Sequence, residues 1–121
     1  MSRLWIGLGA VAGLLAVVVA ALAAHGLDRI GAARLGMVRN ALEMQGWHAL
    51  ALVGCGLWAP RGGRLADLSG AAFALGLLLF CGAVYSLAIG GISLGIMAPI
   101  GGVLLMLGWA LLGLSAVRAR V

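Results

Sequence analysis

Four long apolar stretches fill almost the whole of this 121-residue chain, at roughly 4–24, 41–59, 68–89 and 99–117. Crossing the hydrocarbon core of a bilayer takes about 20 mostly apolar residues at about 1.5 Å of rise each. Each stretch is close to that length. Of all residues 64% are hydrophobic and 9% charged, with a mean hydropathy of +1.20. A soluble core of this size cannot hide so much apolar surface. The sequence therefore predicts an all-α membrane protein, a compact antiparallel bundle of four transmembrane helices forming one integral membrane domain over 1–121. Short loops force sequential helices to be antiparallel neighbours and leave no room for a soluble catalytic module.

All eight basic residues are arginine, against Asp28, Glu43 and Asp67, for a net charge of +5. In a soluble chain that balance suggests nucleic acid. Here the arginines sit at span ends and in loops, where they answer to headgroups and topology, so no nucleic-acid partner is expected. With four spans, Arg3, Arg61, Arg64, Arg118 and Arg120 share one side and Arg29, Arg34 and Arg39 the other. The excess predicts both termini in the cytoplasm. Ala21-Leu22-Ala23 after a long apolar run imitates a signal-peptide cleavage site. The run exceeds the usual h-region of about 7–15 residues and reads as a retained span.

Ala12, Ala16, Ala20 and Ala24 recur at i+4, beside Gly9 and Gly13. Small residues let helices approach closely in lipid, so this stripe predicts a helix–helix seam, internal or between subunits. Gly70/Ala74 and Gly82/Ser86/Gly90 offer similar edges in the third span. Residues 27–40 read as a short interfacial helix between the first two spans, with Asp28 near its N-cap. Ile30, Ala33 and Met37 lie on one side of it and Arg29 and Arg39 opposite, with Arg34 near the apolar edge. Arg29, Arg34 and Arg39 are candidate contacts for lipid headgroups, or plain anchors. Residues 60–64 read as a turn, Asp67 with Ser69 as a cap for the third helix, and Pro99 as a first-turn residue of the fourth. Tyr85, near the far end of the third span, reads as an amphipathic ring at the interface. Cys55 and Cys81 read as small buried hydrophobes, without metal-site spacing.

Polar side chains inside spans are costly and are functional hypotheses by default. Four of them, His25, Glu43, Gln45 and His48, fall toward the membrane face opposite the termini and could form one cluster between helices 1 and 2. The plain reading is glue: histidine and glutamine bridging helices. Two histidines and a carboxylate could also serve a metal or haem, or relay protons or ions. No H-x-x-x-H or E-x-x-H pair is present, so no metal site and no cofactor is predicted. No nucleophile with a base, no acidic pair and no phosphate-binding loop points to an enzyme.

Four ordered motifs carry a resemblance. Ala23-Ala24-His25-Gly26-Leu27 resembles an A-H-G-L signature, and Gln45-Gly46-Trp47-His48-Ala49-Leu50-Ala51-Leu52 a Y-Q-x-Y-H-A-L-A-L element. Phe80-Cys81-Gly82-Ala83-Val84-Tyr85 is similar to F-S-G-S-x-Y, and Ala98-Pro99-Ile100-Gly101-Gly102 through Gly108-Trp109 to T-P-x-G-G…G-W. Together they resemble the small inner-membrane proteins of domain-of-unknown-function family 423, which has mitochondrial transmembrane protein 256-like relatives. Met44 stands where the family usually has tyrosine, and Trp47 where an aromatic, often tyrosine, is usual. The resemblance implies four helices in a bacterial inner membrane and no agreed activity. The resulting expectation is a non-enzymatic protein that packs against lipid, a membrane-protein partner or its own copy. The rival is a small transporter or channel component, or a metal- or haem-binding subunit, using the His25/His48 cluster.

Overall fold

A computed structural model describes residues 1–119, so Arg120, one of the arginines that bear on topology, lies outside it. Among the described residues the regular structure is entirely helical: α1 (Ser2–His25), a single 3-10 turn (Asp28–Ile30), α2 (Ala32–Gly90) and α3 (Met97–Arg118). These three α-helices are long and apolar enough to cross a membrane.

Glycines set the boundaries. Gly31 (φ 85°) precedes α2, and Gly91 (φ 69°) closes it in the left-handed conformation while its N–H donates to the Leu87 carbonyl. Inside α2, Gly63 holds φ 60°, ψ −144°, a conformation that a Cβ makes costly. Pro60, three residues earlier, lacks the N–H for a helical bond. The 59-residue helix therefore breaks at Gly63 into a first arm (32–62) and a second arm (64–90). Contacts then pair the arms in antiparallel register. Cys55 Sγ lies 3.5 Å from Ser69 Oγ, and Cys81 Sγ reaches the Ala41 carbonyl at 3.4 Å.

The other helices flank this hairpin. α1 runs antiparallel to the first arm: a Cβ at Gly9 would meet the Ala49 carbonyl, and one at Gly56 the Ser2 carbonyl. α3 runs antiparallel to the second arm, with Gly101 against Gly76 and Phe80, and Gly108 against Phe73. These approaches suit an environment where close packing, not expulsion of water, draws helices together. One core gathers Trp5, Leu52, Cys55, Phe73, Leu77, Cys81 and Leu105. A second, at the other end, gathers Ala23, Leu27, Val38 and Ala88.

Three local expectations change. Residues 32–40 are not a separate interfacial helix; they are the opening turns of α2, continuous with the rest of the first arm. Val38 and Ala41 are fully buried, and packing of Val38 against Ala23, Leu27 and Ala88 holds those turns in line. The alanine seam also shifts. Gly9, Ala16 and Ala23 are buried, whereas Ala20 and Ala24 are exposed. Steps of four drift by about 40° each on a 3.6-residue helix, so the stripe rotates out of the contact; steps of seven stay in it. Asp67 and Ser69 cap nothing. The second arm already begins before them, and both side chains bond across to other helices.

Candidate functional site

The hydrogen-bonding interior is built on the first arm. Gln45 is buried and binds two segments at once: its Nε2 donates to the Ala12 carbonyl at 2.8 Å, and its Oε1 accepts from the Tyr85 hydroxyl at 2.7 Å. One side chain thus ties α1 and both arms of α2.

His48, one turn further, faces the opposite neighbour. Its Nδ1 lies 2.6 Å from the Met44 carbonyl, and Trp109 Nε1 donates to its Nε2 at 3.0 Å. A carbonyl only accepts and an indole N–H only donates, so these partners fix the tautomer with the proton on Nδ1. Phe73 and Trp109 enclose the ring, with centroids 5.5 and 5.8 Å from it. Ser69 Oγ donates to the Gly108 carbonyl at 2.7 Å. Trp58 Nε1 donates to Ser115 Oγ at 2.9 Å, and Ser115 in turn donates to the Leu112 carbonyl at 2.6 Å. At one end Trp5 Nε1 donates to Asp67 Oδ1 at 2.8 Å. Among the described residues no buried side-chain nitrogen or oxygen lacks a partner.

The four polar residues singled out in the sequence do not converge. Gln45 and His48 are buried but serve different neighbours. Glu43 is exposed, as is His25 in the last turn of α1. Gln45 sits level with Ala12, and His25 lies 13 residues further along α1, about 20 Å away at 1.5 Å per residue. The separation arises because α2 starts at Ala32, which carries Gln45 deep into the bundle. Among the described residues no group of three His, Cys, Asp or Glu is placed to hold a metal. Arg29, Arg34 and Arg39 are all exposed near the His25 end. Tyr85, Trp5 and Asp67 belong to the polar interior, and Trp109, itself half exposed, closes it with its indole N–H, although the sequence does not single them out for it. Tyr85 is not an interfacial ring, because its hydroxyl turns inward to Gln45. The signal for that lies in its spacing: Tyr85 stands at i+4 from Cys81 and i+8 from Leu77, which are both buried.

Comparison with known proteins agrees with the membrane character. The model of a protein family of unknown function, DUF423, matches residues 19–102. The UPF0382 membrane protein of Haemophilus influenzae is 34% identical over 99% of this chain and 98% of its own. The inner membrane protein YgdD of Escherichia coli K12 is 34% identical over 98% of this chain and 93% of its own. A UPF0382 membrane protein of Staphylococcus epidermidis is 31% identical over 96% of this chain and 97% of its own. No solved structure matches.

Proposed function

We propose that this chain, which belongs to the DUF423 family and is a multi-pass protein of the bacterial inner membrane, is a non-enzymatic packing protein acting through its lipid-facing surface. In this reading it is one membrane domain that crosses four times, the Gly63 break turning α2 into two crossings, with both termini cytoplasmic. One observation carries it: the polar interior is spent on itself. Gln45, His48, Ser69 and Ser115 each hold their hydrogen bonds to another segment or to their own helix. A transport path needs polar groups free to exchange partners with a passing solute or proton, and among the described residues the buried side chains offer none. Histidine and glutamine in these roles bring helices into register, at about 0.6 kcal/mol per bond in lipid.

The test is a flux assay. The purified protein in liposomes loaded with a pH-sensitive dye should leave proton permeability at the level of protein-free vesicles, with and without an imposed potential. A proton or cation flux above that level, abolished by Gln45→Leu, would overturn the packing reading in favour of a channel. Orientation is tested with alkaline-phosphatase fusions at the C-terminus, which should be inactive; an active fusion reverses it.

A further inference from the structure

α1 and the second arm of α2 run in parallel, joined at both ends and separated between. At one end Trp5 lies against Gly70 and bonds Asp67. At the other, Ala23 and Ala88 share the second core. Between these ties lies a groove of about 340 Å³, walled by Leu8 to Val19 on α1 and Ala74 to Tyr85 on the second arm, and floored by Gln45 and Leu52. Leu8, Leu78 and Gly82 on its rim are exposed, so it opens sideways toward lipid.

We infer that this groove holds one acyl chain of an anionic phospholipid whose phosphate rests at Arg34. The inference rests on the reading of the protein as one that acts through its lipid-facing surface. The dimensions select the occupant. Each wall covers 11 residues of rise, about 16 Å, close to one leaflet of a hydrocarbon core of about 30 Å. Because α1 and the second arm are tied at both ends, the slot between them stays narrow, and a helix of about 10–12 Å with its side chains would have to part them to enter. A single hydrocarbon chain is narrow enough.

Charge selects the headgroup. Arg34 lies 11 residues before Gln45, three turns along the first arm and within about 20° of the same face at 3.6 residues per turn. Its guanidinium reaches the level of Gly91, at the end of the second arm. Arg34 therefore stands above the groove floor at the membrane surface, and the lipid chain descends over the outer edge of the Ala23/Ala88 contact. Arg39 points to a different side, about 120° from Gln45 at 100° per residue, and serves as a control.

The full-length protein in mild detergent, titrated with phosphatidylglycerol or phosphatidylcholine of matched chains, reports bound lipid by native mass spectrometry. Wild type should retain one phosphatidylglycerol in preference to phosphatidylcholine. Arg34→Gln should weaken phosphatidylglycerol about fivefold, the order expected for one arginine at a membrane surface, and leave phosphatidylcholine unchanged. Arg39→Gln should change neither. Gly82→Leu should weaken both lipids by filling the mouth; Gly82 is exposed on the rim and a Cβ there meets no atom within 4 Å, and an unchanged melting temperature in detergent confirms that the variant keeps its fold. Equal retention in wild type, Arg34→Gln and Gly82→Leu overturns the inference. A loss in Arg34→Gln with none in Gly82→Leu overturns the placement of the chain. A dimer dissociated by Gly82→Leu puts a second copy in the groove and overturns it as well. Each of these leaves the non-transporting reading standing, because that reading falls only to the flux assay.

Discussion

The indole N–H of Trp109 points at Nε2 of His48 across 3.0 Å, joining α3 to the first arm of α2. Phe73 of the second arm stands edge-on to Trp109 at a centroid distance of 5.0 Å, so three segments meet at one aromatic group. His48→Leu should leave the chain inserted and lower its stability by about 1–3 kcal/mol, since the indole N–H then has no acceptor in an apolar setting. Trp109→Phe should cost a similar amount. The pair should couple by about 0.6 kcal/mol, and by no more than about 1.7 kcal/mol, in a double-mutant cycle read by thermal unfolding in detergent. Strict additivity of the two substitutions would show that the bond contributes nothing.

Glycine substitutions should divide sharply by position. A Cβ at Gly101 would lie 2.8 Å from the Gly76 carbonyl and 2.9 Å from Phe80 Cα. Both neighbours are backbone, so neither can turn aside, and Gly101→Ala must push α3 off the second arm. Overpacking of this kind costs about 1–3 kcal/mol. Gly82→Ala meets nothing within 4 Å and should be neutral or stabilising, alanine being about 1 kcal/mol the better helix former. Melting temperatures of the two variants should therefore move apart. A shift of equal size and sign in both would contradict the packing described.

The long apolar stretches were legible because hydrophobic length is a one-dimensional property. So was the break near 60–64, where proline and paired glycines interrupt the pattern. Depth and partnership were not. The 27–40 segment has the amphipathic spacing of a surface helix, yet Val38 and Ala41 are buried by contacts with residues distant in the chain, Ala88 and Cys81 among them. That continuity displaced Gln45 and His48 along the axis and separated them from His25. The i, i+3 spacing of Gln45 and His48, both buried, keeps them within about 60° of one another on the first arm. It could not reveal that the first arm has two occupied sides, one against α1 and one against α3.

The Trp5–Asp67 contact offers a charge-specific test at the Arg61/Arg64 end of the bundle. Asp67 Oδ1 accepts the indole N–H at 2.8 Å, while the indole ring covers Gly70. Asp67→Asn keeps an acceptor oxygen and should cost less than Asp67→Leu, which leaves the indole N–H unmatched. Hydrogen bonds to charged groups contribute about 1.5–3 kcal/mol, so Asp67→Leu should lose an amount of that order. Trp5→Phe should match it, and combining the two should add little. The check is chemical unfolding in detergent micelles; full additivity would refute the contact.

Gly63 makes the sharpest prediction, because its role is conformational and not a matter of space. Nothing lies within 4 Å of a Cβ built there, so a steric argument alone allows alanine. Its φ of 60° with ψ −144° forbids it, since that pairing is nearly exclusive to glycine and costs other residues about 1–3 kcal/mol. Gly63→Ala should thus favour continuing the helix through the break and should weaken the pairing of the two arms. Gly54→Ala, also open to its surroundings but inside the regular first arm, is the matched control and should not destabilise. Ala41→Cys sets a second thiol beside the native Cys81 and reports the arm contact directly: crosslinking should be efficient in the parent and reduced in Gly63→Ala. Equal crosslinking and equal stability in Gly63→Ala and Gly54→Ala would show that the turn does not depend on glycine at this position.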